Sequence, residues 1–150
     1  MKILHECMRD LTSLGSFWFN AILIAFFFLL GKYDITLQLS IATIILVNGL
    51  AIVIRLLYYK ERPDKEKYTN LIEKIEVSSF PSIHAARVFC IAYLLMPFFA
   101  NTFVTLFLFS LAALISYTRI YLKRHYWSDV IAGAVIGILI GILTVYLFSF

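Results

Sequence analysis

Apolar residues run through this chain in stretches long enough to cross a lipid bilayer, and that leaves few folds open to it. A spanning helix needs about 20 such residues, and about five segments reach or approach that length: 14–30, 35–59, 82–97, 101–121 and 127–148. In lipid, backbone amides must be satisfied within the segment or in a closed barrel, and long runs without alternation read as helices. Apolar residues make up 62% of the chain and charged ones 15%, so a water-soluble fold would expose more apolar surface than it could hide. The expectation is an all-α, polytopic membrane bundle of about five transmembrane helices. At 150 residues it reads as one domain over residues 1–150.

The segments between the spans refine this outline. Residues 1–12 carry Ile3, Met8 and Leu11 among Lys2, Glu6, Arg9 and Asp10, the pattern of an amphipathic helix lying in the membrane interface. No small-residue cleavage pattern follows the first apolar run, so it reads as a retained span. Residues 31–34 make a tight turn. Residues 60–79 are the long polar stretch; their charges alternate in sign, and Leu71, Ile72 and Ile75 suggest a short surface helix. In the last span Gly133, Gly137 and Gly141 recur beside Ala132 and Ala134, which allows a neighbouring helix to approach closely. Cys7 and Cys90 read as separate thiols rather than a disulfide or part of a metal cluster. A net charge of +4 would suit nucleic acid, but the basic residues flank apolar runs, so anionic lipid head groups are the better match.

Between residues 55 and 129 the polar groups gather at span ends. Arg55 is followed seven residues later by Arg62-Pro63; then come Pro81-Ser82-Ile83-His84, and Thr118-Arg119 with His125 and Asp129 beyond. Successive spans alternate in direction, so all these pieces fall on one membrane face. Titratable groups are costly beside lipid, which makes such a gathering a site. His125 and Asp129 are four apart on one helical face, so the carboxylate could hold one imidazole nitrogen protonated and leave the other free to attack. Arg119 precedes His125 by six residues, about 240° around an unbroken helix, so the chain must bend for both to touch one ligand. Ser82 is placed to cap a helix whose first-turn amides form an anion site, and His84 beside it can protonate a leaving oxygen. Arg55, Arg62 and Arg119 offer forked donors suited to phosphate. Each piece also has a plainer account. His125 with Lys123 and Arg124 forms a basic belt beside Tyr126 and Trp127. Ser82 is then an ordinary cap and His84 an interfacial polar residue. Arg55 alone fits snorkelling to the interface; Arg87, one turn below His84, could add a fourth cation, but snorkelling or pairing with a loop acid is the favoured account for it.

Together the three pieces resemble the signature of the type 2 phosphatidic acid phosphatase superfamily, which also includes the vanadium-dependent haloperoxidases. That signature is Lys-x6-Arg-Pro, Pro-Ser-x-His and Ser-Arg-x5-His-x3-Asp, and the resemblance covers residues 55–129. It implies a metal-independent lipid phosphatase without a cofactor, acting through a phosphohistidine. Its substrate would be a phosphomonoester or diphosphate of a membrane lipid: polyprenyl phosphate or diphosphate, phosphatidic acid or phosphatidylglycerophosphate. By the resemblance His125 is the nucleophile and Asp129 its orienting partner. His84 is the acid for the leaving group and then the base for water. Arg55, Arg62, Ser82, Ile83 and Arg119 hold the phosphate. Three positions depart from the pattern: Arg55 replaces lysine, Ile83 stands where glycine is common, and Thr118 replaces serine. Many membrane members have six spans, against about five here.

Two other functions fit the same residues: a lipid phosphotransferase using the same intermediate, and a small anion transporter or channel lined by arginine. Orientation follows from charge. Of the 13 lysines and arginines, only Lys32 falls on the face opposite the motifs. Positive charge prefers the cytoplasm, which places the site and the amino terminus inside a multi-pass plasma-membrane protein, with Phe150 outside. Outward-facing bacterial relatives argue the other way.

Overall fold

In the computed structural model, which describes residues 2–65 and 67–148, every regular element is helical. Met1, Glu66 and residues 149–150, including the expected outward end at Phe150, lie outside the described residues. The amphipathic start forms α1 (Lys2–Ser13), with none of its residues buried. It lies against the end of α7 (Thr102–Tyr121), where the rings of His5 and Tyr121 sit 6.2 Å apart.

The first span differs from the expected 14–30. Its helix, α2 (Phe17–Leu29), has 13 residues and meets α1 at a 50° bend. The break has a local cause: Ser16 adopts an extended backbone and its hydroxyl accepts from the Phe19 amide, which starts a new helix instead of continuing the old one. Gly31, at a φ of +69°, then turns the chain into the next span.

That span runs 25 residues, Tyr33–Leu57, but is not uniform. It consists of α3 (Tyr33–Leu39), a π-helical stretch Ser40–Val47, and α4 (Asn48–Leu57). Polar side chains inside the stretch bond back to the backbone: Ser40 Oγ to Thr36 O, Thr43 Oγ1 to Leu39 O, and Asn48 Nδ2 to the carbonyls of Thr43 and Ile44. Such side-chain bonds compete with the i→i−4 ladder and accompany its widening. The polar connection then folds α5 (Leu71–Val77), the expected surface helix. Asn70 caps it, and the Glu73 carboxylate accepts from the Thr69 amide and hydroxyl. Those bonds hold the Glu73 carboxyl below its usual range.

The third expected span is α6 (Ile83–Phe99), 17 residues long, started by Ser82 and stopped at Ala100 in the left-handed region. α7 opens on an Asn101 cap, whose Oδ1 accepts from the amides of Phe103 and Val104. α8 (Trp127–Phe148) completes the bundle with 22 residues. Three helical segments are long and apolar enough to cross a membrane, or up to four if the bent α1–α2 pair counts as one. α6 falls just short by length. It is nonetheless the centre: Cys90, Ile91 and Leu94 pack with Phe27, Leu39, Val47 and Ile140, while Val88 and Ala92 pack with Ala112 and Ile115. The outer faces stay apolar and open, as at Leu57 and Phe103, 84% and 83% exposed, which suits lipid rather than water.

The glycine row of α8 does what its spacing suggested. A Cβ at Gly133 would strike the Ser82 carbonyl, and one at Gly137 the Ala86 carbonyl. A Cβ at Gly141 would press on the Tyr93 ring. α6 and α8 therefore meet backbone to backbone, and this fixes where Ser82 stands relative to Asp129: the Ser82 amide donates to the Asp129 carbonyl at 3.0 Å. Cys7 is exposed and Cys90 buried, both as free thiols.

Candidate active site

One end of the bundle carries a cavity of about 430 Å³. Its wall includes Arg55, Arg62, Ile83, His84, Arg119 and His125, joined by Phe17, Asn48, Glu76 and Arg87. The three sequence pieces, carried on four span ends, thus face one space. Ser82 and Asp129 do not line it. Both are fully buried behind the wall, Ser82 as the cap of α6 with its Oγ 3.5 Å from the Ala85 amide. Ser82 therefore aims the first turn of α6, whose leading amides have no helical partner.

The bend expected between Arg119 and His125 is present. α7 ends at Tyr121, Lys123 takes a φ of +56°, and the Arg119 carbonyl accepts from the amides of both Arg124 and His125, at 2.9 and 3.2 Å. This folds the chain back so that His125 and Arg119 share the cavity.

His125 is 3% exposed, and its Nδ1 lies 2.7 Å from the Ser79 carbonyl. A carbonyl can only accept, so Nδ1 carries the hydrogen and Nε2 keeps its lone pair. Burial, and next the charge of Arg119, push this imidazole down to about 3, so it is neutral at physiological pH. The direct pairing expected with Asp129 is not made: Asp129 Oδ2 stands 3.9 Å from Nδ1, beyond hydrogen-bond reach. Its carboxylate is instead taken by the Lys60 ammonium at 2.5 Å, the Ser79 hydroxyl and the Tyr126 amide at 2.9 Å. The α8 turn puts Asp129 beside His125, but the Ser79 carbonyl stands closer to the ring.

Arg55, Arg87 and Arg119 are held by neutral oxygens. Arg55, 6% exposed, donates to the carbonyls of Ile75, Glu76 and Pro81, and so does not snorkel. Arg119 donates to Thr12 Oγ1, and Arg62 reaches the Glu76 carbonyl. Burial and the neighbouring Arg124 lower Arg62 from its ordinary value. Arg87 departs from the two favoured accounts and stands in the cavity wall, as the fourth cation would. At 4% exposure it neither reaches solvent nor meets an acid; it donates to the Gly15 carbonyl at 2.8 Å and Asn48 Oδ1 at 3.0 Å. It thereby ties the α1–α2 bend to α4. Neutral oxygens fix a guanidinium without cancelling its charge, so Arg55, Arg87 and Arg119 leave the cavity positive. Sequence reasoning missed Lys60, Ser79, Thr12 and Asn48, since each acts through a contact that only the folded loop or bend creates.

A lipid A 4'-phosphatase of Bacteroides thetaiotaomicron is 45% identical over 58 residues, covering 39% of this chain and 26% of that protein. Another, from Porphyromonas gingivalis, is 33% identical over 72 residues, covering 47% and 30%. The matched stretches thus span less than a third of either relative. The crystal structure of Aquifex aeolicus LpxE superposes with a TM-score of 0.80 at 30% identity, over 97% of this chain and 87% of that one. The first transmembrane PAP2 type phosphatidylglycerolphosphate phosphatase from Bacillus subtilis does so at 0.77 and 27%, over 99% and 78%. The PAP2 superfamily profile matches residues 36–150, which include every cavity-lining residue except Phe17, and the chain belongs to that superfamily.

Proposed function

We propose that this chain is a single membrane-embedded domain that removes phosphate from a membrane lipid through a phosphohistidine on His125. The observation that carries this reading is the His125–Ser79 bond: it fixes the tautomer and leaves the Nε2 lone pair for an electrophile. Positive charge from Arg55, Arg62 and Arg119 draws the phosphate dianion in and stabilises the charge that develops on its oxygens. The leading amides of α6, at Ile83 and His84, add donors aimed by the Ser82 cap. His125 attacks phosphorus, the ester bond breaks, and His84 gives its proton to the leaving oxygen. His84 then takes a proton from water, which attacks the phosphohistidine and releases phosphate.

Both named functions among the relatives concern phosphate esters of lipids, which favours a phosphomonoester over a diphosphate. The decisive assay is phosphate release by purified protein from a panel: phosphatidylglycerophosphate, phosphatidic acid, a lipid A phosphate, and polyprenyl phosphate and diphosphate. Release should continue in excess chelator, because the charge comes from arginine. Strict dependence on added magnesium, or no release from any lipid, would overturn the reading.

In the membrane, the bent α1–α2 pair, the Tyr33–Leu57 segment, α6, α7 and α8 make five crossings, with α6 the short, buried centre. Several basic residues on the site face have a structural use: Lys60 with Asp129, Arg124 with Asp64, and the cavity arginines. Lys2, Arg9, Lys65, Lys67, Lys74 and Lys123 remain against Lys32, which supports a site facing the cytoplasm. A reporter fused to the carboxyl terminus that worked only in the cytoplasm would reverse this orientation.

A further inference from the structure

Lys60 falls inside the six-residue run between Arg55 and Arg62, and nothing in its sequence setting marks it. In the fold its ammonium lies 2.5 Å from Asp129 Oδ1 and 2.8 Å from Ser128 Oγ, with the Tyr126 ring centroid 4.7 Å away. Its backbone carbonyl accepts the Ser79 amide at 2.7 Å. The other Asp129 oxygen accepts the Ser79 hydroxyl. Every polar group of Ser79 is therefore engaged: the amide by Lys60, the hydroxyl by Asp129, and the carbonyl by His125 Nδ1. Lys60 grips Ser79 twice, once through its backbone and once through the Asp129 carboxylate.

We propose that Lys60 is a positioning residue for the reaction, acting through Asp129 and Ser79 to hold the His125 ring and its tautomer. This rests on His125 being the nucleophile. The chemistry is specific. Asp129 is fully buried, and a buried carboxylate that loses its cation seeks another donor. Ser128 Oγ, 3.3 Å from Oδ1, supplies only a neutral hydroxyl; the nearest group that could replace the lost cation is the His125 imidazole, whose Nδ1 lies 3.9 Å away. Taking that hydrogen would turn the ring away from the Ser79 carbonyl and misaim Nε2. Lys60 itself does not line the cavity, so it has no direct hold on substrate.

The test is a kinetic series on detergent-purified full-length protein, using whichever lipid phosphate proves to be hydrolysed. Lys60→Met should lower kcat by roughly 10–100-fold and change KM by less than about threefold, the pattern of a group acting behind the nucleophile. Lys60→Arg, which can still pair with Asp129, should recover most of the rate; a side chain needed only for bulk would not separate Arg from Met in this way. In an Asp129→Asn background, Lys60→Met should add less than about threefold, since one chain of contacts is broken only once. A raised KM with kcat unchanged would make Lys60 a substrate contact and overturn the proposal. So would losses that multiply with Asp129→Asn. If Lys60→Met does not accumulate as folded protein, Lys60→Gln gives the same reading, keeping a donor without the charge. His125→Ala separates the two ideas. An inactive His125→Ala beside a fully active Lys60→Met removes the Lys60 assignment alone, whereas an active His125→Ala removes both.

Discussion

Two faces of α6 are packed by opposite means. One meets α8 from the first turn to the middle of the helix through glycines and apolar side chains, with Ala86, Cys90 and Leu94 fully or almost fully buried and the helices touching backbone to backbone at Ser82 and Ala86. The other, at the head of the helix, opens into a cavity walled by arginines and histidines and held by hydrogen bonds to loop carbonyls. The seam has no side chain to spare, so it is rigid and inert. The head has directional bonds and uncancelled charge, so it is ordered and reactive. Because Ser82 belongs to both, capping the head while its carbonyl lies against Gly133, the seam sets the depth at which the head meets α8.

Substitutions on either side should therefore fail in different ways. The largest effect on chemistry is expected at the head. His125→Ala should lower phosphate release by about 10⁴-fold or more while the protein still elutes from detergent columns as the wild type does. Half the wild-type rate would end the phosphohistidine mechanism. At the seam, Gly137→Val should do the reverse and damage folding first. Its Cβ would strike the Ala86 carbonyl, which the helix cannot move cheaply, and overpacking of this kind costs about 1–3 kcal/mol or more. Loss of thermal stability together with loss of activity is the expected signature. A variant as stable as the wild type would show that α6 and α8 are not locked as described.

A subtler contrast lies in pH. Burial and Arg119 depress the His125 imidazole to about 3, against an ordinary 6.5. Above about pH 6.5 the ring is neutral in both folded and unfolded chains and adds nothing to pH dependence. Between 6.5 and 3 only the unfolded chain takes up the proton, so stability falls with acid by up to about 1.4 kcal/mol per pH unit. Thermal midpoints should thus drop more steeply below pH 6.5 in the wild type than in His125→Gln. Parallel curves would mean that the ring is not buried in a cationic setting. The seam offers no titratable group to mimic this effect.

How much of this the sequence could tell follows from the same division. Seam and spans rest on periodic, local features: α7 and α8 begin and end within a residue of the expected limits, and the glycine spacing of α8 is enough to foresee the close approach. The first span departs from its expected limits because Leu14, Gly15 and Ser16 look like the start of an apolar run, while Ser16 acts as a cap and bends the chain. The π-helical turn has no sequence signature because it depends on how Thr43 and Asn48 bond back along the helix. At the head, the residues that touch the cavity were legible from motif spacing. Those that hold them were not: Lys60, Ser79 and Asn48 gain their meaning from a loop and a bend that bring distant residues together. The error over Asp129 has this origin, since its spacing to His125 was right and the intervening Ser79 lies 50 residues away in the chain.

The smallest predicted effect serves as the control for the seam. Gly49 lies in α4 with no heavy atom within 4 Å of where a Cβ would stand, unlike the three glycines of α8. Its neighbours Ile45, Leu46 and Leu50 form, with Ile140 and Leu143, an open apolar groove on the outside of the bundle. Nothing in the chain needs the missing side chain there. Alanine removes backbone freedom from the unfolded state and favours the helix by about 0.5–1 kcal/mol. Gly49→Ala should therefore leave phosphate release unchanged and raise the thermal midpoint by roughly 1–4 °C. A drop in stability comparable to that of Gly137→Val would mean that the groove is occupied in the membrane, by lipid or a second copy, as closely as α6 occupies the face of α8. The contrast between a glycine needed for contact and one without neighbours would then fail.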